Sequence, residues 1–173
     1  MTENRNKERE FQIFVKPVGA RCNLRCRYCY YLDKLSLQDG GSDPLMSDEV
    51  LDGFIRQYIQ SQDAGEIHFA WQGGEPTLLG VEFFERVLSI QAKYAGGKRI
   101  ENSIQTNGVL LDDEWGAFLA ANRFLVGLSI DGPRALHDRY RVDRAGEPTF
   151  DVPSGVVVLV VAGAFCDVGR NAR

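Results

Sequence analysis

The stretch ARCNLRCRYCYY, residues 20–31, contains three of the four cysteines of the chain: Cys22, Cys26 and Cys29. It follows the apolar segment FQIFVKPVG (residues 11–19), which predicts a short strand closed by Pro17. The spacing is C-x3-C-x2-C, whereas a closed iron–sulfur cluster or a structural zinc site uses four protein ligands. Three neighbouring thiolates are suited to a four-iron cluster held through three of its irons, with the fourth iron left open to another ligand.

Two other interpretations of the cysteine spacing remain: a zinc site with a distant fourth ligand, and chance. Zinc sites usually combine two C-x2-4-C pairs, and this sequence has no second pair. His68 lies inside a predicted strand and His137 in a predicted charged loop, so we expect them to be packed or solvated residues and not ligands.

Composition limits the function classes. The chain has 173 residues, about one domain, and a net charge of −4, which argues against a dedicated nucleic-acid binder. The sequence shows no long apolar run and no signal peptide, so we expect a cytoplasmic protein without a membrane segment. Residues 1–10, MTENRNKERE, are polar and are expected to be a flexible lead-in.

The remaining sequence alternates between strand and helix patterns. Strands are predicted at residues 66–71, 100–106 and 123–130, and helices at 46–60, 81–95 and 112–121. The first helix has an apolar stripe and Ser47 as its predicted N-cap; the stripe comprises Leu51, Phe54, Ile55, Tyr58 and Ile59. This order is typical of an α/β protein with a parallel sheet, whose sites lie at the carboxyl ends of the strands.

Glycine and polar residues follow each later strand, in QGGEP (72–76), QTNG (105–108) and SIDGP (129–133). Gly73 and Gly74 allow a close backbone approach, and the Glu75 carboxylate is able to accept hydrogen bonds from an ammonium group. Ser129 and Asp131 are suited to ribose hydroxyls. For each motif, the alternative interpretation is an ordinary turn. Arg141 is a further candidate, as a residue that would neutralise a ligand carboxylate, and the alternative is that it lies in a solvated charged loop.

CNLRCRYCY resembles the signature of the radical S-adenosylmethionine (SAM) enzymes. The resemblance implies a partial (β/α) TIM-type barrel, here incomplete with about four βα units, and implies a 4Fe-4S cluster on the three cysteines. It also implies that GGEP binds the methionine amino group and that the later strand-end motifs line the cofactor pocket. The implied cofactor-binding residues are Tyr28 near the adenine, Gln72, Gly73, Gly74, Glu75, Thr106, Asn107, Ser129, Asp131 and Arg141 near the carboxylate.

Within that superfamily, WQGGEP, QTNG, LSIDGP and HDRYR make residues 11–151 most similar to the N-terminal part of anaerobic sulfatase-maturating enzymes. The implied activity is reductive cleavage of SAM to a 5′-deoxyadenosyl radical, which oxidises a sulfatase Cys or Ser to formylglycine. The implied partners are the sulfatase polypeptide and a low-potential donor such as flavodoxin or ferredoxin. The family's general base would lie beyond this chain, so no catalytic base is assigned.

The alternatives are another SPASM-type peptide-modifying radical enzyme, an inactive degenerate fragment, or a non-catalytic metal-binding module. The valine-rich tail, residues 152–173, departs from the expected pattern, and we interpret it as a frameshift or truncation near Asp151; a buried fifth strand is the alternative. Cys166 in this tail is assigned no role. An open four-stranded sheet exposes an edge, so we expect the chain as written to be unstable or inactive.

Overall fold

The computed structural model describes residues 11–37 and 45–151. Four strands are present: β1 (Ile13–Val15), β2 (Glu66–Trp71), β3 (Arg99–Thr106) and β4 (Leu125–Leu128). Within the described ranges, four α-helices alternate with the strands or follow them: α1 (Asp48–Ser61), α2 (Gly80–Tyr94), α3 (Asp113–Ala121) and α4 (Arg134–Tyr140). Short 3-10 helices span Leu32–Leu37 and Pro76–Leu79. The interpretations of residues 1–10 and of the tail lie outside the described ranges. No helix within those ranges has both the length and the apolarity needed to cross a bilayer.

The strands form one sheet in the order β1-β2-β3-β4, and all neighbouring pairs are parallel. One row of register partners runs Val15–Trp71–Ile104–Val126. Each strand therefore lies beside its successor in sequence, as in a singly wound barrel wall. This arrangement confirms the predicted α/β class and is that of an incomplete (β/α) barrel.

The hydrophobic core lies between one face of the sheet and the helices α1–α3. Phe69 and Trp71 of β2 are fully buried, and Trp71 meets Phe83 and Phe84 of α2 edge-on, with centroids 6.2 and 5.6 Å away. Four members of the predicted α1 stripe are buried, namely Leu51, Ile55, Tyr58 and Ile59, while Phe54 is partly buried. Period-3.6 patterning therefore identified the core face of α1 correctly.

A buried polar cluster joins α2 to the sheet. The side-chain amides of Gln91 and Asn102 exchange two hydrogen bonds of 2.9 Å, and Trp71 Nε1 donates to Asn102 Oδ1 at 2.9 Å. Because the amide pair is reciprocal, these groups are satisfied without water. The cluster fixes the position of α2 against β2 and β3.

Helix starts follow the expected capping chemistry. Ser47 Oγ accepts from the Val50 backbone N–H at 3.3 Å, which confirms the predicted cap of α1. Asp112 Oδ1 accepts from the Trp115 N–H at 2.9 Å and caps α3 in the same way. These caps place the helix starts within two residues of the predicted bounds.

Two predicted strands are shorter in the structure. Strand β1 ends at Val15 because the chain turns at once, with Gly19 N–H donating to Lys16 O at 3.1 Å and Gly19 at φ 57°. Strand β4 starts only at Leu125, since Phe124 N–H still bonds to Leu119 O at 3.0 Å in the turn that ends α3.

Helix α4 corrects one expectation. The sequence around His137 was predicted to be a charged loop, but it forms a helix preceded by Pro133, and His137 is only 5% exposed. Its ring packs edge-on against Phe150, with centroids 5.4 Å apart. His137 is the buried residue of this short helix, whereas Leu136 is 49% exposed, so the helix lacks the apolar stripe that would have marked it in the sequence.

Candidate cofactor site

The three thiols lie on a loop that extends from β1 along the carboxyl end of the sheet. The loop backbone is paired with the end of α4 and the segment after it, through Arg27 N–H to Tyr140 O and Arg25 N–H to Val142 O, both at 2.8 Å. Cys29 N–H donates to Cys26 O at 3.0 Å within the loop. The loop is thus held by main-chain hydrogen bonds, which leaves its side chains available for ligands.

The thiol environments differ. Cys22 Sγ accepts from the Leu24 backbone N–H at 3.3 Å and lies 3.7 Å from Asn107 Nδ2. Burial raises the pKa of the Cys22 thiol, and burial also raises the pKa of Cys26 although the nearby Arg141 guanidinium acts against this increase. All three cysteines of the loop are free thiols.

The turn after β2 rests on the cysteine loop. Glu75 N–H donates to Arg21 O at 2.8 Å, and Gly73 and Gly74 have φ values of 86° and 56°. A Cβ on Gly74 would lie 2.1 Å from Arg21 O, so only glycine allows this approach. The close approach inferred from the sequence is present at Gly74, and what comes close there is the chain's own backbone.

The Glu75 carboxylate is 1% exposed and is bound within the protein. Its Oε1 accepts from the Thr77 N–H at 3.1 Å, from Thr77 Oγ1 at 2.7 Å and from Thr106 Oγ1 at 2.8 Å. Its Oε2 accepts from the Asn107 N–H at 2.8 Å. Through these contacts Glu75 connects the ends of β2 and β3 by hydrogen bonds. Its predicted contact with the cofactor amino group remains a prediction.

Asn107 connects the end of β3 to the cysteine loop. Its Nδ2 donates to Asn23 Oδ1 at 2.8 Å, and its Oδ1 accepts from the Val109 N–H at 2.9 Å. Asn23 was not singled out from the sequence. Its position beside Cys22, as a short polar side chain within the cysteine motif, is the signal that was available.

Tyr28, Asp131 and Arg141 form one cluster. The Tyr28 hydroxyl donates to Asp131 Oδ2 at 2.6 Å, and Arg141 Nε donates to Asp131 Oδ1 at 2.9 Å. The guanidinium also lies over the Tyr28 ring, 5.6 Å from its centroid. Burial, followed by the hydrogen bond to the Asp131 carboxylate, raises the pKa of Tyr28. Asp131 therefore orients a ring and a cation, and its predicted contact with a ribose hydroxyl remains a prediction.

The remaining predicted residues lie at the same edge of the sheet. Ser129 Oγ accepts from Gln105 Nε2 at 3.0 Å, and a Cβ on the neighbouring Gly127 would meet Gln105 Oε1 at 2.2 Å. Gln72 begins the turn after β2, where its N–H donates to Val15 O at 2.8 Å.

Arg144 also contacts the cysteine loop, although it was not predicted from the sequence. Its Nη2 donates to Cys22 O at 2.9 Å.

The family model of the Radical SAM superfamily matches residues 17–152, and the chain belongs to this superfamily. It is 49% identical over 148 residues to a serine-type anaerobic sulfatase-maturating enzyme of Bacteroides thetaiotaomicron, covering 85% of this chain and 36% of that protein. It is 44% identical over 139 residues to a cysteine-type anaerobic sulfatase-maturating enzyme of Clostridium perfringens, covering 80% and 37%.

Comparison with solved structures agrees with the comparison of sequences. Native anSMEcpe with bound AdoMet superposes with a TM-score of 0.73 at 42% identity, over 81% of this chain and 38% of that one. The form with bound AdoMet and Cp18Cys peptide gives 0.72 at 42%, over 82% and 37%. This chain therefore spans a little over a third of the length of these relatives, and the predicted resemblance to the N-terminal part of such enzymes is confirmed.

Proposed function

We propose that this chain carries the cofactor-binding part of a radical SAM enzyme that oxidises a Cys or Ser side chain of a sulfatase to formylglycine. The observation that carries the proposal is the attachment of the cysteine loop to the ends of β2 and β3. Arg21 O receives the Glu75 N–H, and the Asn107 amide lies against Asn23 and Cys22. A signature loop and a strand-end motif that act on one cofactor must be adjacent in this way.

The donor set fits a cluster better than a single ion. Within residues 11–37 and 45–151, no group of three or more His, Cys, Asp and Glu side chains is close enough to hold one metal ion. The three ligands of a 4Fe-4S cluster bind three different irons, so Cys22, Cys26 and Cys29 need not converge on a point. The Leu24 N–H that points at Cys22 Sγ is the kind of hydrogen bond that tunes cluster sulfurs.

SAM, when bound beside a reduced cluster, would supply the hydrogen-atom abstraction that starts the oxidation. The chain's own residues would position it. The proposed contacts are Gly73, Gly74 and Glu75 at its amino group, Ser129 and Asp131 at its ribose, and the Tyr28 ring at its adenine. Arg141 uses Nε for Asp131, and a guanidinium has further N–H donors for the cofactor carboxylate. Gln72, Thr106 and Asn107 complete the proposed lining, and Gln72 would contact either the cofactor or the substrate peptide.

The first test is cluster assembly in cysteine variants. We expect Cys22→Ala, Cys26→Ala and Cys29→Ala each to abolish the SAM-responsive EPR signal and to lower iron content after anaerobic reconstitution. Cys166→Ala, which changes the cysteine outside the motif, is the matched control and should keep the signal of the parent chain. A full SAM-responsive signal in any loop variant would contradict the proposal.

Two assays separate the competing functions. Release of 5′-deoxyadenosine with dithionite and SAM would distinguish an enzyme from a non-catalytic metal-binding module or a degenerate fragment. Mass spectrometry of Cys- and Ser-containing sulfatase peptides would then distinguish formylglycine from a thioether or a carbon crosslink. A flavodoxin or a ferredoxin is the proposed donor of the electron that reduces the cluster.

A further inference from the structure

Charge is unevenly distributed along the chain. The cysteine loop with its following turn (residues 21–34) and the segment paired with it (139–147) contain seven basic and three acidic residues. The rest of the chain contains 13 basic and 21 acidic residues. An overall acidic protein thus has a local basic region, and that region coincides with the loop that carries the three thiols.

Three arginines of this region, Arg25, Arg27 and Arg144, line one open depression of about 430 Å³, and we call them the arginine patch. All three are exposed. The depression is also lined by Leu32, Val142, Asp143, Ala145 and Gly146, and by none of the cysteines. The depression is therefore separate from the proposed cofactor contacts, although Arg25 and Arg27 lie on the same loop as the cysteines.

The backbone of the arginine patch is held firmly, and its side chains are exposed. The N–H groups of Arg25 and Arg27 are bonded to the segment after α4, which fixes their backbone. In the part of the chain that the structure describes, no hydrogen bond or ion pair engages the side chains of these two arginines. The carboxylate lining the depression belongs to Asp143, whose Oδ1 already accepts from the N–H groups of Ala145 and Glu147 at 2.8 Å.

We propose that the arginine patch is the docking surface for an electron-carrier protein with an acidic surface, an inference that rests on the proposed function. Arg25 and Arg27 flank Cys26 in sequence, and Arg144 donates to Cys22 O at 2.9 Å. A carrier held on the patch therefore lies directly beside the cluster loop. It gives up one electron and the cluster gains it, with no bond made or broken.

Electrostatics favours this partner and this orientation. The acidic remainder of the chain repels an acidic carrier, and the patch attracts it, so encounters are steered to the cysteine loop. A nucleic acid is a poorer fit, because its binding needs a longer basic track than three arginines in a chain of net charge −4.

The test compares two charge-reversal variants of equal net charge. Arg25→Glu/Arg27→Glu changes the patch, and Arg56→Glu/Arg123→Glu changes two exposed arginines outside it, on α1 and before β4. Affinity for a flavodoxin is measured by calorimetry on the cluster-free chain at low and high salt. We expect the patch variant to lose about tenfold or more, the control less than about twofold, and the parent affinity to fall with salt.

Circular dichroism checks that both variants fold, and Arg25→Gln/Arg27→Gln, with half the charge change, should give an intermediate loss. Equal losses in patch and control variants, an affinity insensitive to salt, or tighter binding of a single-stranded oligonucleotide than of flavodoxin would each overturn the docking proposal. In reconstituted protein, flavodoxin should reduce the cluster more slowly in the patch variant, while dithionite reduces both at one rate. Failure of the parent chain to assemble a cluster would overturn the proposed function, and the affinities would still decide the docking.

Discussion

Gly74 shows how a single residue determines the geometry of the proposed site. Its φ of 56° is a backbone conformation that glycine adopts easily. The stronger constraint is steric, because Arg21 O would lie 2.1 Å from a Cβ at this position. The residue therefore sets the distance between the turn after β2 and the cysteine loop. Side-chain chemistry plays no part, because the contact is between two stretches of backbone.

Gly74→Ala should destabilise the fold by about 3 kcal/mol or more, because strain at positive φ adds to a steric clash. Gly96→Ala is the matched control, since Gly96 has a φ of 58° and its Cβ would meet nothing nearer than Tyr94 O at 3.7 Å. The control should lose about 1 kcal/mol through backbone strain alone. Urea unfolding measures both, and equal losses would show that the approach to Arg21 is not tight.

Among the secondary-structure elements, the ends of β2 and β3 are joined by one carboxylate. Glu75 follows β2, while Thr106 ends β3 and Asn107 follows it, and all of their contacts with Glu75 are 2.8 Å. A parallel sheet aligns these strand ends but does not by itself hold the loops that leave them. A buried charge fully surrounded by donors performs that task.

Glu75→Gln replaces one carboxylate oxygen by an NH₂ group that faces a donor, either the Asn107 N–H or the donors around Oε1. We expect a loss of about 2 kcal/mol in the free energy of unfolding, since a hydrogen bond to a charged group is lost and a donor is left unpaired. The exposed Glu85→Gln should change it by less than about 0.5 kcal/mol. If thermal unfolding shows no difference in stability between the two variants, the hydrogen bonds of Glu75 do not hold the ends of β2 and β3 together.

At the scale of the whole molecule, α4 and the loop after it hold the cysteine loop from outside. His137 Nε2 lies 3.2 Å from Thr149 Oγ1, which in turn donates to Arg141 O at 2.8 Å. Within the described residues, His137 Nδ1 is buried without a hydrogen-bond partner. Burial, and then the charge of Arg141, lowers the pKa of His137 below its ordinary 6.5. The neutral ring is therefore part of this packing.

A lowered histidine pKa gives a stability contribution that is complete above about pH 6.5 and is lost as pH falls, because the unfolded chain takes up the proton first. We expect the parent chain to lose stability below that pH by up to about 1.4 kcal/mol per pH unit more than His137→Leu does. His68→Gln changes the only other histidine and keeps His137, so it is the matched control for the loss of a histidine. Urea midpoints across this pH range test it, and parallel profiles for the parent and His137→Leu would contradict it.

Local patterning was enough to predict most of the architecture, and short motifs were enough to indicate the superfamily. Alternation and helical periodicity located four strands and three helices, because these signals depend on neighbours in sequence. The superfamily was indicated by the resemblance of CNLRCRYCY and GGEP to known motifs, and the family model confirms it. Helix α4 was missed because it is short, rich in charge and buries only His137, so it has no apolar stripe to detect. The apolar partner of His137, Phe150, lies beyond the end of that helix.

The partners of the polar site residues depended on the packed chain. Tyr28 and Asp131 are 103 positions apart, and Asn107 and Cys22 are 85 apart, yet both pairs meet at the carboxyl edge of the sheet. The residue type determines which hydrogen bonds a side chain is able to make. Which of them it makes depends on the groups that burial brings within about 3 Å, and that is a property of the assembled fold.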